Sequence, residues 1–266
     1  MTGTDAPREV APDDWETHWD DYADCAGRNP AQTFRRRVVL GLMGRAGAPQ
    51  RYLDIGCGQG DLAADVAKRW PKAEVAGLEL SAKGCELASG KVPGGRFVQF
   101  DLLSGQDPPE ALAGWATHAT CSEVLEHVDE PGEFLVAARR WLAPGATLVV
   151  TVPGGPMSAF DHHIGHRRHY DIPDLTALLE GAGFTVGQCG GAGFPLFNLY
   201  RRTVIARGER LVGEVEPDGS TSLPVRAGLA VFSGLLALSP TGGRRGWQLY
   251  ATASAPLASE SSSEQG

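Results

Sequence analysis

Long apolar runs are missing from this chain. None of its 266 residues belongs to a stretch approaching the roughly 20 apolar positions a bilayer-spanning helix needs, so no membrane partner is expected. The opening Thr-Gly-Thr-Asp-Ala-Pro, after the first Met, is not a basic-then-apolar secretory leader, which points to a cytoplasmic protein. Cysteine is scarce: the five (25, 57, 85, 121 and 189) are odd in number and form no C-x-x-C pair. They read as reduced, mostly buried thiols, not as a disulfide framework. Excess positive charge is also lacking. The net charge is −8, but residues 1–24 hold eight acids against Arg8 and the remainder is close to neutral. A broad basic face for duplex nucleic acid is therefore not expected. Internal repeats are absent too. What remains, 42% hydrophobic and 21% charged, is ordinary for a soluble globular protein long enough to bury a core.

Glycine is what the chain has in the most telling place. Residues 51–60, Arg-Tyr-Leu-Asp-Ile-Gly-Cys-Gly-Gln-Gly, begin as a short buried strand and break into glycines at 56, 58 and 60. A helical pattern follows at once, from Asp61 to Arg69. Glycines there let the backbone turn tightly and present main-chain N–H groups to a ligand at a helix N-terminus. Dinucleotide-binding enzymes use a related G-x-G-x-x-G turn, but here the third glycine arrives one residue early. Asp54, in the strand end before the first glycine, suits a ligand carrying an amine better than one carrying a pyrophosphate.

Further acids follow in register. Ala73–Leu80 reads as a second strand ending in Glu79, placed to accept hydrogen bonds from two ribose hydroxyls. Arg96–Phe100 reads as a third strand with Asp101 and Leu102 after it, and His118–Cys121 as a fourth running into Ser122-Glu123-Val124-Leu125-Glu126-His127. Thr147–Val152, after the Pro144-Gly145 turn, reads as a fifth. Together these segments resemble the class I S-adenosylmethionine (SAM)-dependent methyltransferases, closest in style to small-molecule and ubiquinone-pathway O-methyltransferases. The resemblance covers roughly residues 50–190. It implies an α/β, Rossmann-like, seven-stranded and mostly parallel sheet with helices on both faces and an antiparallel last strand. It also implies SAM as cofactor, held by Asp54, Gly56, Cys57, Gly58, Glu79, Leu80, Asp101, Leu102 and Ser122.

Around that core, residues 1–49 read as an N-terminal arm and cofactor-covering helices. One short helix is expected at 14–23, with Trp15, Trp19 and Tyr22 on one face, and another at 31–43. In relatives a basic side chain of such a helix reaches the methionine carboxylate, and Arg36 or Arg37 is the candidate here. The catalytic domain spans 50–253, with a helix at 171–182, a sixth strand at 184–189 and the last strand at 247–253. Residues 199–246 form a helical insertion before that last strand, a lid or a dimer surface. Within it helices are expected near 199–212 and 225–238, with a turn at 217–219. The Ser/Glu-rich tail, 254–266, reads as disordered.

Methyl transfer from a sulfonium needs alignment of nucleophile, carbon and sulfur, and a way to remove the acceptor's proton. The most unusual stretch, residues 160–170 (Phe-Asp-His-His-Ile-Gly-His-Arg-Arg-His-Tyr), holds four of the seven histidines and follows strand five. Three readings compete. In the first, His166, His169 or His127 is catalytic, acting as general base, with His162, His163, Arg167 and Tyr170 around the acceptor. In the second, Glu123, Glu126, His127 and His166 hold a divalent metal; Glu123, Glu126 and His127 share a face if the segment is helical. In the third, the loop is structural. The E-x-x-E-H string with a later histidine is similar to metal-using small-RNA 2′-O-methyltransferases, yet it also occurs in methyltransferases with no known metal.

The sequence thus points to methyl transfer from SAM to an oxygen, and next a nitrogen, of a small molecule, with secondary metabolism as a setting. A metal-dependent RNA 2′-O-methyltransferase and a non-catalytic SAM-binding partner protein are the alternatives. A monomer or homodimer is expected.

Overall fold

A computed structural model describes residues 30–214, 234–236 and 238–258. Its centre is a seven-stranded sheet in the order β3-β2-β1-β4-β5-β7-β6. The strands are β1 (Arg51–Ile55), β2 (Glu74–Glu79), β3 (Arg96–Gln99), β4 (Ala116–Ser122), β5 (Leu142–Pro153), β6 (Thr185–Ala192) and β7 (Gln248–Ser254). β7 runs antiparallel to both β5 and β6, while the β1, β2, β3, β4 and β5 pairings are parallel. The expected α/β sheet with its antiparallel last strand is therefore present.

Strand side chains alternate between faces, and this alternation builds two cores. Leu53 and Ile55 of β1, Leu148, Val150 and Val152 of β5, and Leu249 and Ala251 of β7 face one side. There they meet Leu135 of α4 (Pro131–Arg139) and Leu175 and Leu179 of α6 (Ile172–Gly181). Tyr52, Val149 and Tyr250, the intervening residues, face the other side. They meet Phe34, Val38 and Leu42 of α1 (Pro30–Ala46), Leu62 and Val66 of α2 (Asp61–Arg69), and Phe197 of α7 (Leu196–Glu214). Helices thus cover both faces. α3 (Ala82–Lys91) joins β2 to β3, and α5 (Ala159–His163) follows β5. No helix among the described residues is long and apolar enough to cross a membrane.

Several expectations shift. β5 starts at Leu142, before the Pro144-Gly145 turn, because its pairing with β4 jumps from Ala116↔Leu142 to His118↔Thr147 and absorbs that turn as an irregularity. The helix of the insertion begins at Leu196. The tail is ordered at its start: Ser254 ends β7, and Ala255, buried, donates its N–H to Ala146 O at 2.9 Å. The helix at 14–23 with Trp15, Trp19 and Tyr22, the turn at 217–219, most of the 225–238 helix and residues 259–266 lie outside the described residues. The four described cysteines, 57, 85, 121 and 189, are free thiols.

Candidate active site

Open parallel sheets bind ligands beyond the carboxyl ends of their strands, at the point where strand order reverses. Here that point lies between β1 and β4. The loop after β1 takes left-handed turns at Gly56 (φ 70°), Gly58 (φ 51°) and Gly60 (φ 80°). A side chain at Gly56 would meet Val124 Cγ2 at 2.5 Å, and one at Gly60 would meet Ala88 Cα at 2.7 Å. Both the conformation and the close approach demand glycine.

Glu79, buried at the end of β2, organises this loop. Gly58 N–H donates to its Oε2 (2.7 Å), and Leu80 and Ser81 N–H donate to its Oε1 (3.0 and 3.2 Å). Asp54 lies beside Thr120 in the β1–β4 register, so Thr120 Oγ1 donates to Asp54 Oδ1 at 2.7 Å. Since that hydroxyl is spent, Tyr52 OH donates to Thr120 Oγ1 at 2.6 Å. Burial raises the Asp54 carboxyl to about 7, against the hydrogen bonds from Thr120 and Tyr52; the Glu79 charge adds to the rise. Asp54 does not cap α2, whose N-cap is the left-handed Gly60. Cys57 is buried, and burial pushes its thiol up and out of reactive range.

At the far rim, Asp101 is exposed and its Oδ1 accepts from Leu103 N–H (2.8 Å). This local turn sends Leu102 into the core and leaves Leu80 and Leu103 exposed. Leu102, expected beside the ligand ring, is buried, while Asp101 before it is exposed. Ser122 Oγ pairs with Thr151 Oγ1 at 2.8 Å, its register neighbour on β5. The fit to SAM rests on this set: a glycine cradle that a Cβ would fill and two buried acids, Asp54 and Glu79, beside it.

The 122–127 segment is not a helix. Glu123 has φ 57°, left-handed for a non-glycine residue, and only Leu125–His127 forms a 3₁₀ turn. That geometry separates Glu123 from its expected companions. Glu123 Oε2 pairs with Arg35 Nε (3.1 Å) and its Oε1 accepts from Gln248 Nε2 (2.8 Å). Arg35 Nε also donates to Gln248 Oε1 at 2.7 Å. Arg35 is therefore the basic residue that α1 presents here. Arg36 instead binds Asp65 (2.8 Å), and Arg37 donates to Leu236 O and Ser239 O. Helical phase explains this, since Arg35 stands four after Ala31 and three before Val38, both buried.

Glu126 is fully buried, and neither carboxylate oxygen has a hydrogen-bond partner among the described residues. Burial first, and the Glu123 charge second, push its carboxyl well above the usual range. The loop after β5 comes to it: Arg167 N–H donates to Glu126 O at 2.8 Å, and His166 Nε2 lies 3.9 Å from Glu126 Oε1. The His127 and His166 rings meet edge to face at 4.8 Å.

The histidine loop is anchored by Asp161, which forms a capping box with Ser158 at the start of α5. Arg201 of α7 places Nη2 2.9 and 3.0 Å from the two Asp161 oxygens. Burial works to raise the Asp161 carboxyl, but the Ser158 bonds and the Arg201 charge outweigh it and hold it below its ordinary value. His169 Nδ1 lies 3.0 Å from Gly155 O and must donate to it. Burial lowers the His169 pKa, so the ring is neutral and its Nε2 is a lone pair. That lone pair accepts from His166 Nδ1–H at 3.2 Å. His166 Nε2 is in turn a lone pair on the Glu126 side. Burial and the neighbouring His127 lower His166 to about 2. An imidazole so weakly basic is a poor proton acceptor, which counts against the general-base reading of His166; it offers a lone pair.

The remaining sequence candidates are employed elsewhere. Tyr170 OH donates to Leu125 O (3.0 Å) and its ring is buried, so it braces the loop. Arg167 pairs with Asp129. His162 and His163 are exposed at the end of α5 and contribute no hydrogen bond to the cluster. Sequence reasoning missed Arg35, Asp161, Arg201 and Gln248; only the Ser158-x-x-Asp161 capping pattern had a local signal.

Comparison with known proteins accords with this geometry. The methyltransferase domain family matches residues 31–188. The ubiquinone biosynthesis O-methyltransferase of Thiobacillus denitrificans is 36% identical over 128 residues, covering 48% of this chain and 53% of that protein. The trans-aconitate 2-methyltransferase of Methylobacterium nodulans is 32% identical over 143 residues, covering 53% and 50%. The chain thus spans about half the length of the curated relatives it matches. The crystal structure of Burkholderia thailandensis 1,6-didemethyltoxoflavin-N1-methyltransferase, with bound 1,6-didemethyltoxoflavin and S-adenosylhomocysteine, shares the fold. Its TM-score is 0.57 at 19% identity, covering 95% of this chain and 93% of that one. The family match extends over more than half of the sequence, and the chain belongs to the methyltransferase domain family of class I SAM-dependent methyltransferases.

Proposed function

We propose that this chain binds SAM beyond the ends of β1, β2 and β4 and passes its methyl group to an oxygen of a small-molecule acceptor, with nitrogen as the next choice. One observation carries the reading: the three left-handed glycines are held to a buried Glu79 through Gly58 N–H, so the cradle and the sugar-binding acid form one unit. In this assignment Asp54 takes the cofactor's ammonium, Glu79 its ribose hydroxyls, and Asp101 with Leu80 and Leu103 the adenine edge. Ser122 and the 123–127 turn face the methyl group. In the transfer the acceptor oxygen loses its proton and bonds to the methyl carbon, while the S–C electron pair returns to sulfur. The thioether leaves without needing an acid.

Oxygen is placed first because the ubiquinone-pathway relatives are named as O-methyltransferases. Nitrogen comes second, as the atom named for the Burkholderia N1-methyltransferase that shares the fold. For the insertion, a lid is the reading we adopt. Arg201 of its first helix is bonded to Asp161, which anchors the histidine loop, so motion of α7 would carry that loop. A biosynthetic setting follows from the same relatives.

The test is direct. The protein is incubated with methyl-labelled SAM and a panel of phenols, catechols, carboxylic acids and amines, and products are read by mass for the gain of one methyl. Transfer to a hydroxyl or carboxylate compound with release of S-adenosylhomocysteine is the expected result. A protein that binds neither SAM nor S-adenosylhomocysteine by calorimetry would overturn the proposal.

A further inference from the structure

We infer that Glu126, His127 and His166 form a site for a single first-row transition-metal cation, with Zn²⁺ the best match, on the acceptor side of the crevice. The inference begins with a carboxylate that has no reason to be where it is. Glu126 is fully buried, and neither of its oxygens accepts a hydrogen bond from any described residue. A buried carboxylate without donors costs several kcal/mol unless a counter-charge meets it. No basic side chain is bonded to it; what faces it is imidazole. One donor atom each from Glu126, His127 and His166 lies within 4.8 Å of the other two. His166 Nε2 is 3.9 Å from Glu126 Oε1, whereas two ligands of a tetrahedral zinc stand about 3.3 Å apart at bond lengths of about 2.0–2.2 Å. That pair closes by contraction of about half an ångström, and the other pairs, within 4.8 Å, by at most about 1.5 Å, through side-chain torsions.

The surrounding hydrogen bonds fix the ligand that such a site requires. Gly155 O can only accept, so it takes His169 Nδ1–H, and His169 Nε2 takes His166 Nδ1–H. His166 Nε2 is left as a lone pair on the Glu126 side. An imidazole whose far nitrogen donates to a fixed partner is the arrangement that orients metal-bound histidines.

Two neighbouring carboxylates do not belong to the set. Asp161 lies near His166 and His169, but its Oδ2 is taken by Ser158 N–H, Ser158 Oγ–H and Arg201, and its Oδ1 accepts from Arg201, whose charge it already balances. Glu123 is gripped by Arg35 and Gln248. The Arg35 charge is balanced in that pair and so does not stand unopposed against a cation. Two imidazoles with one carboxylate favour zinc and its transition-metal neighbours over magnesium or calcium, which prefer all-oxygen shells. Three protein ligands leave open positions, the pattern of zinc sites that admit a substrate oxygen. If the methyl-transfer reading holds, that oxygen belongs to the acceptor, and ligation lowers its pKa so that its proton passes to solvent before the methyl arrives.

The site is tested on untagged full-length protein, stripped with a chelator and then titrated with Zn²⁺ by calorimetry and with Co²⁺ by visible absorption. One equivalent of Zn²⁺ bound at micromolar Kd or tighter, and intense cobalt d–d bands, are expected. Glu126→Gln and His166→Ala should each weaken Zn²⁺ at least tenfold. The exposed pair His162→Ala/His163→Ala should leave it within threefold. Each variant is also titrated with S-adenosylhomocysteine, whose unchanged Kd shows that the fold is intact. Because binding is read without turnover, failure of methyl transfer and failure of the metal site are separate outcomes. Wild-type protein showing neither zinc heat nor cobalt bands at 100-fold excess over micromolar, or Glu126→Gln and His166→Ala variants that bind Zn²⁺ as tightly as wild type, would overturn the inference.

Discussion

Replacing Glu79 by Gln keeps the shape of the side chain and removes one acceptor, and the structure dictates which bond suffers. Three N–H groups point at this carboxylate, Gly58 on Oε2 and Leu80 and Ser81 on Oε1. An amide satisfies only one side. Keeping its oxygen toward Leu80 and Ser81 turns the NH₂ onto Gly58 N–H, and the shortest bond, 2.7 Å, becomes a donor–donor contact. The reverse orientation sacrifices two bonds. A hydrogen bond to a charged group contributes about 1.5–3 kcal/mol, so the cheaper orientation should cost about 2–3 kcal/mol of stability. At roughly 2–4 °C per kcal/mol for a domain of this size, the melting temperature should fall by about 4–12 °C. SAM binding should weaken as well, because one ribose hydroxyl meets an NH₂ in place of an oxygen; about 1–3 kcal/mol corresponds to roughly 5–150-fold in Kd. Differential scanning calorimetry and isothermal titration with SAM and S-adenosylhomocysteine measure the two effects. A Gln variant that melts with wild type and binds SAM equally would show that Glu79 neither organises the loop nor holds the sugar.

Three further outcomes follow from the same geometry. Gly60→Ala should destabilise by about 2–4 kcal/mol, since its Cβ would stand 2.7 Å from Ala88 Cα at a φ of 80°; chemical denaturation checks this, and a loss under 1 kcal/mol would mean the α2–α3 contact yields freely. Asp54, with a folded-state pKa of about 7 against about 3.9 unfolded, binds its proton more tightly when folded. Its contribution is therefore full below pH 4 and lost as pH rises through 7, a fall on the order of 4 kcal/mol. Asp54→Asn should flatten that slope in a pH series of melting curves, and an unchanged slope would refute the assignment. Removing one partner of the buried Arg201–Asp161 pair by Arg201→Met should cost about 3–5 kcal/mol, and adding Asp161→Asn should restore part of it; additive losses would deny the coupling.

The strands were legible because β1 and β2 are buried on both faces and read as short apolar runs ended by a turn or an acid, while the edge strand β3 is half exposed. Asp54 and Glu79 announced themselves by position alone, as the end of a strand leaves little choice of direction. Spacing failed where the chain departs from regular geometry. The i, i+3, i+4 pattern of Glu123, Glu126 and His127 suggested one helical face, but a left-handed Glu123 turns its side chain toward α1 and β7. Which leucine after β3 faces inward was not legible either: at the turn that Asp101 makes with Leu103 N–H, Leu102 is buried and Leu103 exposed. Nothing local could reveal that Glu123 pairs with Gln248, 125 positions away, or that Arg201 reaches back 40 positions to Asp161. The run Arg35-Arg36-Arg37 was visible, and helical phase, not composition, selects Arg35.

Those long-range pairs explain why comparison yields a family without an acceptor. The cofactor side of the crevice uses core elements only: β1, β2, β4 and their loops. The acceptor side is flanked by two ion pairs whose acids, Glu123 and Asp161, lie in the core, while their arginines come from α1 and α7. Between the pairs stand groups that are neutral by burial, His166 and His169, beside Glu126. The field between those pairs is thus tuned by helices attached to the sheet, and α7 lies beyond the stretch that the family match covers. Relatives that share residues 31–188 share the means of holding SAM. We propose that the acceptor of this chain is chosen by how the attached helices return to the end of β5. A chimera that keeps 31–188 and takes α7 through β7 from a relative should therefore retain S-adenosylhomocysteine affinity while changing its acceptor, and a chimera that keeps the original acceptor preference would place specificity back in the core.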